Sequence, residues 1–148
     1  MKLIPLTQGK FAIVDDDDYS VMKGYRWFVN RTRKNFYAAR NTDDHHQVRM
    51  HNEILGIKGV DHKNGDGLDN RRQNLRPATH QQNMMNRRPW EGRRFKGSYR
   101  ESKGSWMATI NLNGKKFCLG WFKTEEEAAR AYDVKAKELF GEYARTNF

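Results

Sequence analysis

The 148-residue sequence holds one cysteine, Cys118, and three prolines. A single thiol excludes an intrachain disulfide and any zinc site that needs two cysteines, and it fits a reducing cytoplasm. No apolar run approaches the roughly 20 residues of a membrane-crossing helix. The opening stretch MKLIPLTQGK is too short in apolar residues for a signal peptide. No basic amphipathic helix with an apolar stripe stands out, so no membrane partner is expected. Acidic residues are also scarce: 18 Asp and Glu stand against 28 Lys and Arg, a net charge of +10 and a pI near 9.9. A positive field of that size attracts polyanions and speeds their encounter, so nucleic acid is the favoured partner. A mean hydropathy of −1.04 leaves little apolar surplus. The aromatic share of 12%, with four Trp, nevertheless argues against disorder. Small, aromatic-anchored modules are expected rather than one large core.

The first forty residues carry short apolar or alternating stretches, LIPL, KFAIV, YRWFVN and NFYAAR. Gly9-Lys10 and Arg33-Lys34-Asn35 separate them, so short strands joined by tight turns are expected. The run Asp15 to Asp18 follows a strand and precedes YSVMKGYRW, so it is read as a solvated cap of a short helix rather than a metal site. His45 and His46, in NTDDHHQ, belong to a loop. QVRMHNEILG reads as a strand entering a short helix that buries Met50, Ile54 and Leu55 and stops at Gly56. His51 is either a buried, hydrogen-bonded core residue or a neighbour of an active site.

The segment VDHKNGDGLDNRRQNLRPATHQQN, Val60 to Asn83, spends most of its residues on groups that ligate, turn or hydrogen-bond. Local rules make Val60–Lys63 a strand, NGDGLDNRRQ a loop, NLRP a return strand, and Thr79-x-x-Gln82 a capping box that opens a helix. Such a strand–loop–strand–helix unit converges on one spot without a large core. A neutral His62 suits proton abstraction from water near pH 7. Asp61 and Asn83 offer hard oxygen atoms, suited to Mg2+ or Mn2+ rather than zinc. A cation there would stabilise a pentavalent phosphate and its departing 3′ oxygen. Asn74 is placed to bond backbone across the loop and hold His62 in orientation.

Through VDH, NG-G-LDNRR-NLR and TH-QN the stretch resembles the HNH endonucleases, the His-Me finger or ββα-metal nucleases, and especially the phage and intron-encoded homing enzymes. The resemblance implies His62 as general base, Asp61 and Asn83 as metal ligands, Asn74 as the middle Asn of the motif, and Mg2+ or Mn2+ as cofactor. Asn83 stands where the motif's name has a second His, as in the homing branch. His80 is assigned a supporting catalytic role, and Arg71 and Arg72 are candidate DNA contacts. MHNEILG is similar to the family's lead-in, with Asn52 where Arg is usual.

After Asn83 the chain turns basic, with Arg87, Arg88, Arg93, Arg94, Lys96, Arg100 and Lys103 interrupted by Pro89 and Gly92. This predicts a phosphate-tracking linker over 89–94. Beyond it, Trp106, Ala108, Ile110 and Leu112 alternate with Met107, Thr109 and Asn111, and Asn113-Gly114 is a two-residue hairpin signal. Thr124 and Glu127 form a capping box ahead of AARAYDVKAKELF, whose Ala128, Tyr132, Ala136, Leu139 and Phe140 share one face. With FKGSYR as a first strand, this predicts a three-stranded antiparallel sheet covered on one face by a helix. Trp106, Ala108 and Ile110 would face the helix, leaving Met107, Thr109, Asn111, Lys116 and Cys118 free. Trp106 and Trp121 are assigned to the core.

FKGSYR, W-A-I, LGWF-T-EEAARAYD and the closing NF resemble the plant ethylene-response-factor (Apetala-two) DNA-binding domain over about 95–148. That implies a sheet laid in the major groove of DNA. Thr109, Asn111 and Cys118 replace a Glu, an Arg and a base-reading Trp of that family, so its target sequence does not carry over. Lys96, Tyr99, Arg100, Asn111 and Lys116 are the contact candidates here.

The sequence therefore predicts an α+β chain. Short strands and an HNH nuclease domain occupy 1–88, with the motif at 60–88, followed by the linker and then a DNA-binding domain at 95–148. The expected function is a homing-type, metal-dependent endonuclease acting on double-stranded DNA as a monomer, with a dimer as the alternative state. The expected setting is the cytoplasm of a bacterial host, the gene being carried by a phage or mobile element. The rivals are a non-cleaving DNA-binding regulator and an RNA-directed nuclease.

Overall fold

The computed structural model describes residues 1–32, 35–90 and 92–148. The turn expected at Arg33-Lys34 therefore lies outside the described residues, as does Glu91 of the expected linker. The chain divides into two compact units, Met1–His80 and Gln81–Phe148. Among the described residues the architecture is α+β, with small antiparallel sheets and four α-helices.

In the first unit, β1 (Lys2–Pro5) and β2 (Phe11–Val14) form an antiparallel hairpin. Helix α1 (Asp16–Met22) follows. Strands β3 (Phe28–Arg31), β4 (Phe36–Asn41) and β5 (Gln47–Arg49) then make an antiparallel meander. Helix α2 (Met50–Leu55) leaves β5 directly and ends at Gly56, whose φ of 67° is the left-handed stop that glycine supplies without strain. Strands β6 (Val60–His62) and β7 (Leu75–Pro77) pair antiparallel. Ile4, Ala12, Val14, Met22, Trp27, Val29, Ala38, Met50, Ile54, Val60 and Leu75 pool their side chains into one core, because no single hairpin could bury enough apolar surface alone.

The acidic run opens a short helix as expected, with Asp15 at the N-cap and Asp16 and Asp17 exposed, but it is not solvated throughout. Asp15 precedes α1 without a side-chain capping bond. It instead accepts from the Arg72 backbone N–H at 2.8 Å, and Asp18 is buried against the Arg72 guanidinium, with Nε and Nη2 at 2.9 and 2.7 Å. Arg72 supplies the charge that makes burying Asp18 tolerable.

Helix α3 (His80–Met85) begins at the boundary and continues into the second unit. There β8 (Ser98–Arg100), β9 (Trp106–Leu112) and β10 (Lys115–Phe122) form the expected sheet, with β9 in the middle. Helix α4 (Glu125–Phe140) opens on the expected capping box: Thr124 Oγ1 accepts from the Glu127 N–H, and Glu127 Oε2 accepts from the Thr124 N–H, both at 3.2 Å. Ile110, Tyr132, Ala136 and Phe140 form its core, with Met85 of α3 packed against them.

Two expectations for this sheet are corrected. The β9–β10 register breaks between Cys118 and Gly120, where Gly120 takes a φ of 131°. This bulge inserts Leu119 as an extra residue and shifts the alternation by one. Trp121 therefore pairs with Met107 instead of Trp106, and it is 66% exposed rather than in the core. Thr109, expected to lie open, is buried. It is a short side chain on the middle strand, flanked by Met107 and Asn111 along that strand.

Candidate active site

The segment after β6 is folded by its own polar side chains. The Gly65 N–H bonds the His62 carbonyl at 2.8 Å, and Gly65 has a φ of 74°. Asn64 Oδ1 accepts from the Asp66 N–H, and Asp66 Oδ1 accepts from the Leu68 N–H. Asp69 receives Nε and Nη2 of Arg71, both at 2.7 Å, and Asn64 Nδ2 at 3.0 Å. These donors, the Arg71 guanidinium foremost, hold the Asp69 carboxyl below the usual carboxylate range.

Asn74 bonds backbone across the loop, as its spacing predicts. Its Oδ1 accepts from the Asn64 N–H at 3.0 Å, and its Nδ2 donates to the Asp69 carbonyl at 2.7 Å, closing the loop across ten residues. The side chain seen bonding the His62 ring, however, is Asn70, whose Oδ1 lies 3.3 Å from Nε2. Asn70 Nδ2 donates to the Leu68 carbonyl at 3.1 Å, so its oxygen must face the imidazole. That assigns the proton to His62 Nε2 and the lone pair to Nδ1. Asn70 is fully buried. It is held from outside the loop as well: Ile13 of β2 donates to the Leu68 carbonyl and accepts from the Asn70 N–H, both at 2.8 Å.

His62 is buried, and desolvation pulls its pKa below the ordinary imidazole value, with the Asn70 bond and the Asp61 charge opposing. The ring is neutral at pH 7. Two further rings stand against it. His51 lies 4.8 Å away between centroids at 86°, and Tyr37 lies 5.9 Å from His62 and 5.7 Å from His51. Gly67 permits the Tyr37 position, since a Cβ there would overlap the Tyr37 ring and the Phe36 carbonyl. His51 is 3% exposed, and its Nδ1 finds no hydrogen-bond partner among the described residues. His51 is thus a buried residue that packs directly against the His62 ring.

Asp61 sits opposite Arg76 in the β6–β7 register, and its Oδ2 accepts from Arg76 Nε at 3.0 Å and Nη2 at 2.7 Å. Both side chains are buried. Asn83 is half-buried on α3 and counts with the second unit, and His80 is exposed at the first position of that helix. Among the described residues there is no group of three His, Cys, Asp or Glu that could hold a metal ion. Taken one by one, Asp61 offers a carboxylate oxygen and Asn83 an amide oxygen, both hard donors. That chemistry suits Mg2+ or Mn2+, which keep several of their waters and need few protein oxygens.

The basic candidates divide by what occupies them. Arg71 is paired with Asp69, Arg72 with Asp18, and Arg94 with Glu126 at 2.6 Å. Lys96 is turned inward: its Nζ donates to the Met85 carbonyl at the end of α3, and burial pushes its pKa down to about 8. An ammonium so placed is already committed to a backbone carbonyl. Arg87 lies over the Trp90 ring, and Arg88 is exposed. Arg93 and Lys116 both lie over the Tyr99 ring, at 4.2 and 4.7 Å from its centre. The register places Tyr99, Asn111 and Lys116 on the sheet face away from α4, and Arg100 opposite Trp106 on the other.

Sequence reasoning missed Asn70, Arg76 and Tyr37. Asn70 was visible as the second polar residue of the Asp-Asn pair. Arg76 could have been found from the strand register, which sets it across from Asp61.

Comparison with known proteins fits this geometry. The HNH endonuclease family model matches residues 57–85, which spans β6, the loop, β7 and α3. The C-terminal region is similar to two plant proteins, each of which extends well beyond the matched segment. Dehydration-responsive element-binding protein 2A of Arabidopsis thaliana is 43% identical over 56 residues, 36% of this chain and 17% of that protein. Ethylene-responsive transcription factor ERN3 of Medicago truncatula is 46% identical over 57 residues, 37% of this chain and 24% of that protein. No solved structure matches the chain. The protein named as uncharacterized HNH endonuclease L560 of Acanthamoeba polyphaga mimivirus is 33% identical over 149 residues, 95% of this chain and 76% of the relative. On that extended likeness, together with a buried His62 on the β6–β7 hairpin, the chain belongs to the HNH endonuclease family.

Proposed function

We propose that this protein is a metal-dependent endonuclease that hydrolyses phosphodiester bonds in double-stranded DNA. The observation that carries the reading is the held, neutral His62: Nε2 is engaged by Asn70, so Nδ1 is the nitrogen that takes a proton. Water attacks the phosphorus, its proton passes to His62 Nδ1, and the bond to the 3′ oxygen breaks, leaving a 5′ phosphate and a 3′ oxygen that takes a proton from solvent. Asp61 and Asn83 are the residues that would hold a divalent cation, which supplies charge neutralisation at the phosphate and the leaving oxygen when bound. Arg76 keeps the Asp61 carboxylate oriented, and Asn74 keeps the loop closed. His80, at the start of α3, keeps its supporting role in this reading.

The second unit supplies DNA affinity through the sheet face that carries Tyr99, Asn111 and Lys116, with Arg93 beside it and Arg87 and Arg88 on the approach. Homing-type action in a bacterial host's cytoplasm is part of the same proposal and rests on the motif resemblance.

The test is supercoiled plasmid incubated with wild type and His62→Ala, each with magnesium and with a chelator. Nicking or linearisation by wild type in magnesium alone, lost in the variant, is the expected result. If both proteins shift the plasmid and neither cuts it or DNA from the gene's own locus, the protein is a DNA-binding regulator instead.

A further inference from the structure

The β-bulge at Leu119 changes what the second unit presents to a partner. In an antiparallel pair, residues directly opposite each other point to the same side of the sheet. Ala108 and Ile110 face α4: Ile110 packs with Tyr132, Ala136 and Phe140, and Ser98, opposite Ala108, bonds Glu125 of the helix. Met107 therefore points to the opposite side, and both of its partners, Tyr99 on β8 and Trp121 on β10, point there with it. An unbroken register would set Trp121 across from Trp106, on the helix side. The extra residue and the φ of 131° at Gly120 put it on the open side instead, 66% exposed.

Trp121, Met107 and Tyr99 thus form one row across all three strands. Adjacent strands lie ~4.8 Å apart, so the row spans about 10 Å. Cations flank it: Arg93 and Lys116 lie over the Tyr99 ring. A large aromatic exposed on a strongly basic face is poorly accounted for by packing, and the charge around it selects an anionic partner.

We propose that Trp121 is a DNA-contacting residue, and that the Trp121–Met107–Tyr99 row is an apolar strip that packs on base edges and deoxyribose of duplex DNA while Arg93 and Lys116 engage its phosphates. The proposal deepens the reading above, because it rests on this sheet face being the one that docks on DNA. Apolar packing contributes affinity without releasing counterions, whereas each lysine–phosphate contact adds to the salt dependence. The two kinds of contact are therefore separable by experiment.

The whole 148-residue chain is titrated onto a labelled mixed-sequence duplex in chelator, over a range of salt concentrations. Wild type is compared with Trp121→Ala, Trp121→Phe and Lys116→Ala, after checking that their melting temperatures agree. Trp121→Ala is expected to bind about tenfold more weakly at every salt concentration, with the slope of log K against log salt unchanged. Trp121→Phe is expected to recover most of that loss. Lys116→Ala is expected to flatten the slope by about 0.9. If Lys116→Ala behaves so but Trp121→Ala binds within about twofold of wild type, the proposal is overturned and the docking face stands. If neither substitution changes binding, the face itself is not the DNA-binding surface, and both ideas fall.

Discussion

The neutral, buried His51 makes the stability of the first unit depend on pH in a window where few other groups titrate. Burial, and then the nearby His62 and Arg49, lower the His51 pKa from 6.5 to about 3. The unfolded chain takes up a proton at this residue as the pH falls through 6.5, and the folded chain does not until about pH 3. The unfolded state therefore binds more protons between those values, so stability is fully present above pH 6.5 and is lost progressively below it. From pH 6.5 to pH 5 the loss is 1.5 units at ~1.36 kcal/mol each, about 2 kcal/mol. His62, whose pKa is also lowered, adds a loss of the same sign. Asp69 is lowered from 3.8, so its contribution disappears only at more acid pH, below this window. Urea denaturation of the full chain at steps between pH 7 and pH 5 measures the slope, with His51→Leu as the non-titrating control. The control is expected to lose about 2 kcal/mol less than wild type over that range. Parallel curves for the two proteins, or a His51 ring proton that titrates near pH 6.5 by NMR in the folded state, would refute the reasoning.

Arg76→Met leaves the Asp61 carboxylate buried without its guanidinium and is expected to cost about 3–5 kcal/mol in urea denaturation, while the double variant with Asp61→Leu costs much less. Gly97→Ala meets both a φ of 84° and the Tyr132 ring, so the second unit should lose about 2–4 kcal/mol by thermal melting, with the core of the first unit untouched. Asn70→Ala removes the oxygen that sets the His62 tautomer. Cleavage of plasmid should slow by at least about tenfold while the protein concentration needed for half-maximal binding stays at the wild-type value. Lys96→Met, unlike a change at an exposed lysine, should leave the salt slope of DNA binding unaltered, because the Nζ is already committed to the Met85 carbonyl.

The parts of this fold that were legible in the sequence are those set by local rules. The strand–loop–strand–helix order of residues 60–85, the left-handed stop at Gly56 and the Thr124–Glu127 capping box each follow from neighbours within a few positions. The misses share a different cause. The commitment of Asp18 to Arg72 joins residues 54 positions apart, and nothing in DDDD announces a distant guanidinium. The cross-strand ion pair of Asp61 with Arg76 and the bond of Asn70 to His62 depend on register and loop shape, which pattern reading assigns last. Trp121 was misplaced because a strict two-residue alternation was carried through a glycine, and one inserted residue reverses every side chain after it.

The backbone bridge from Ile13 to Leu68 and Asn70 has a bearing on how far the nuclease motif is portable. A segment cut from Val60 onward would carry every residue by which the motif is recognised. It would also leave behind the strand on which the histidine's orienting partner hangs. The N-terminal hairpin thus acts as a jig for the loop, and grafting the motif onto another scaffold requires an equivalent strand edge at the same place.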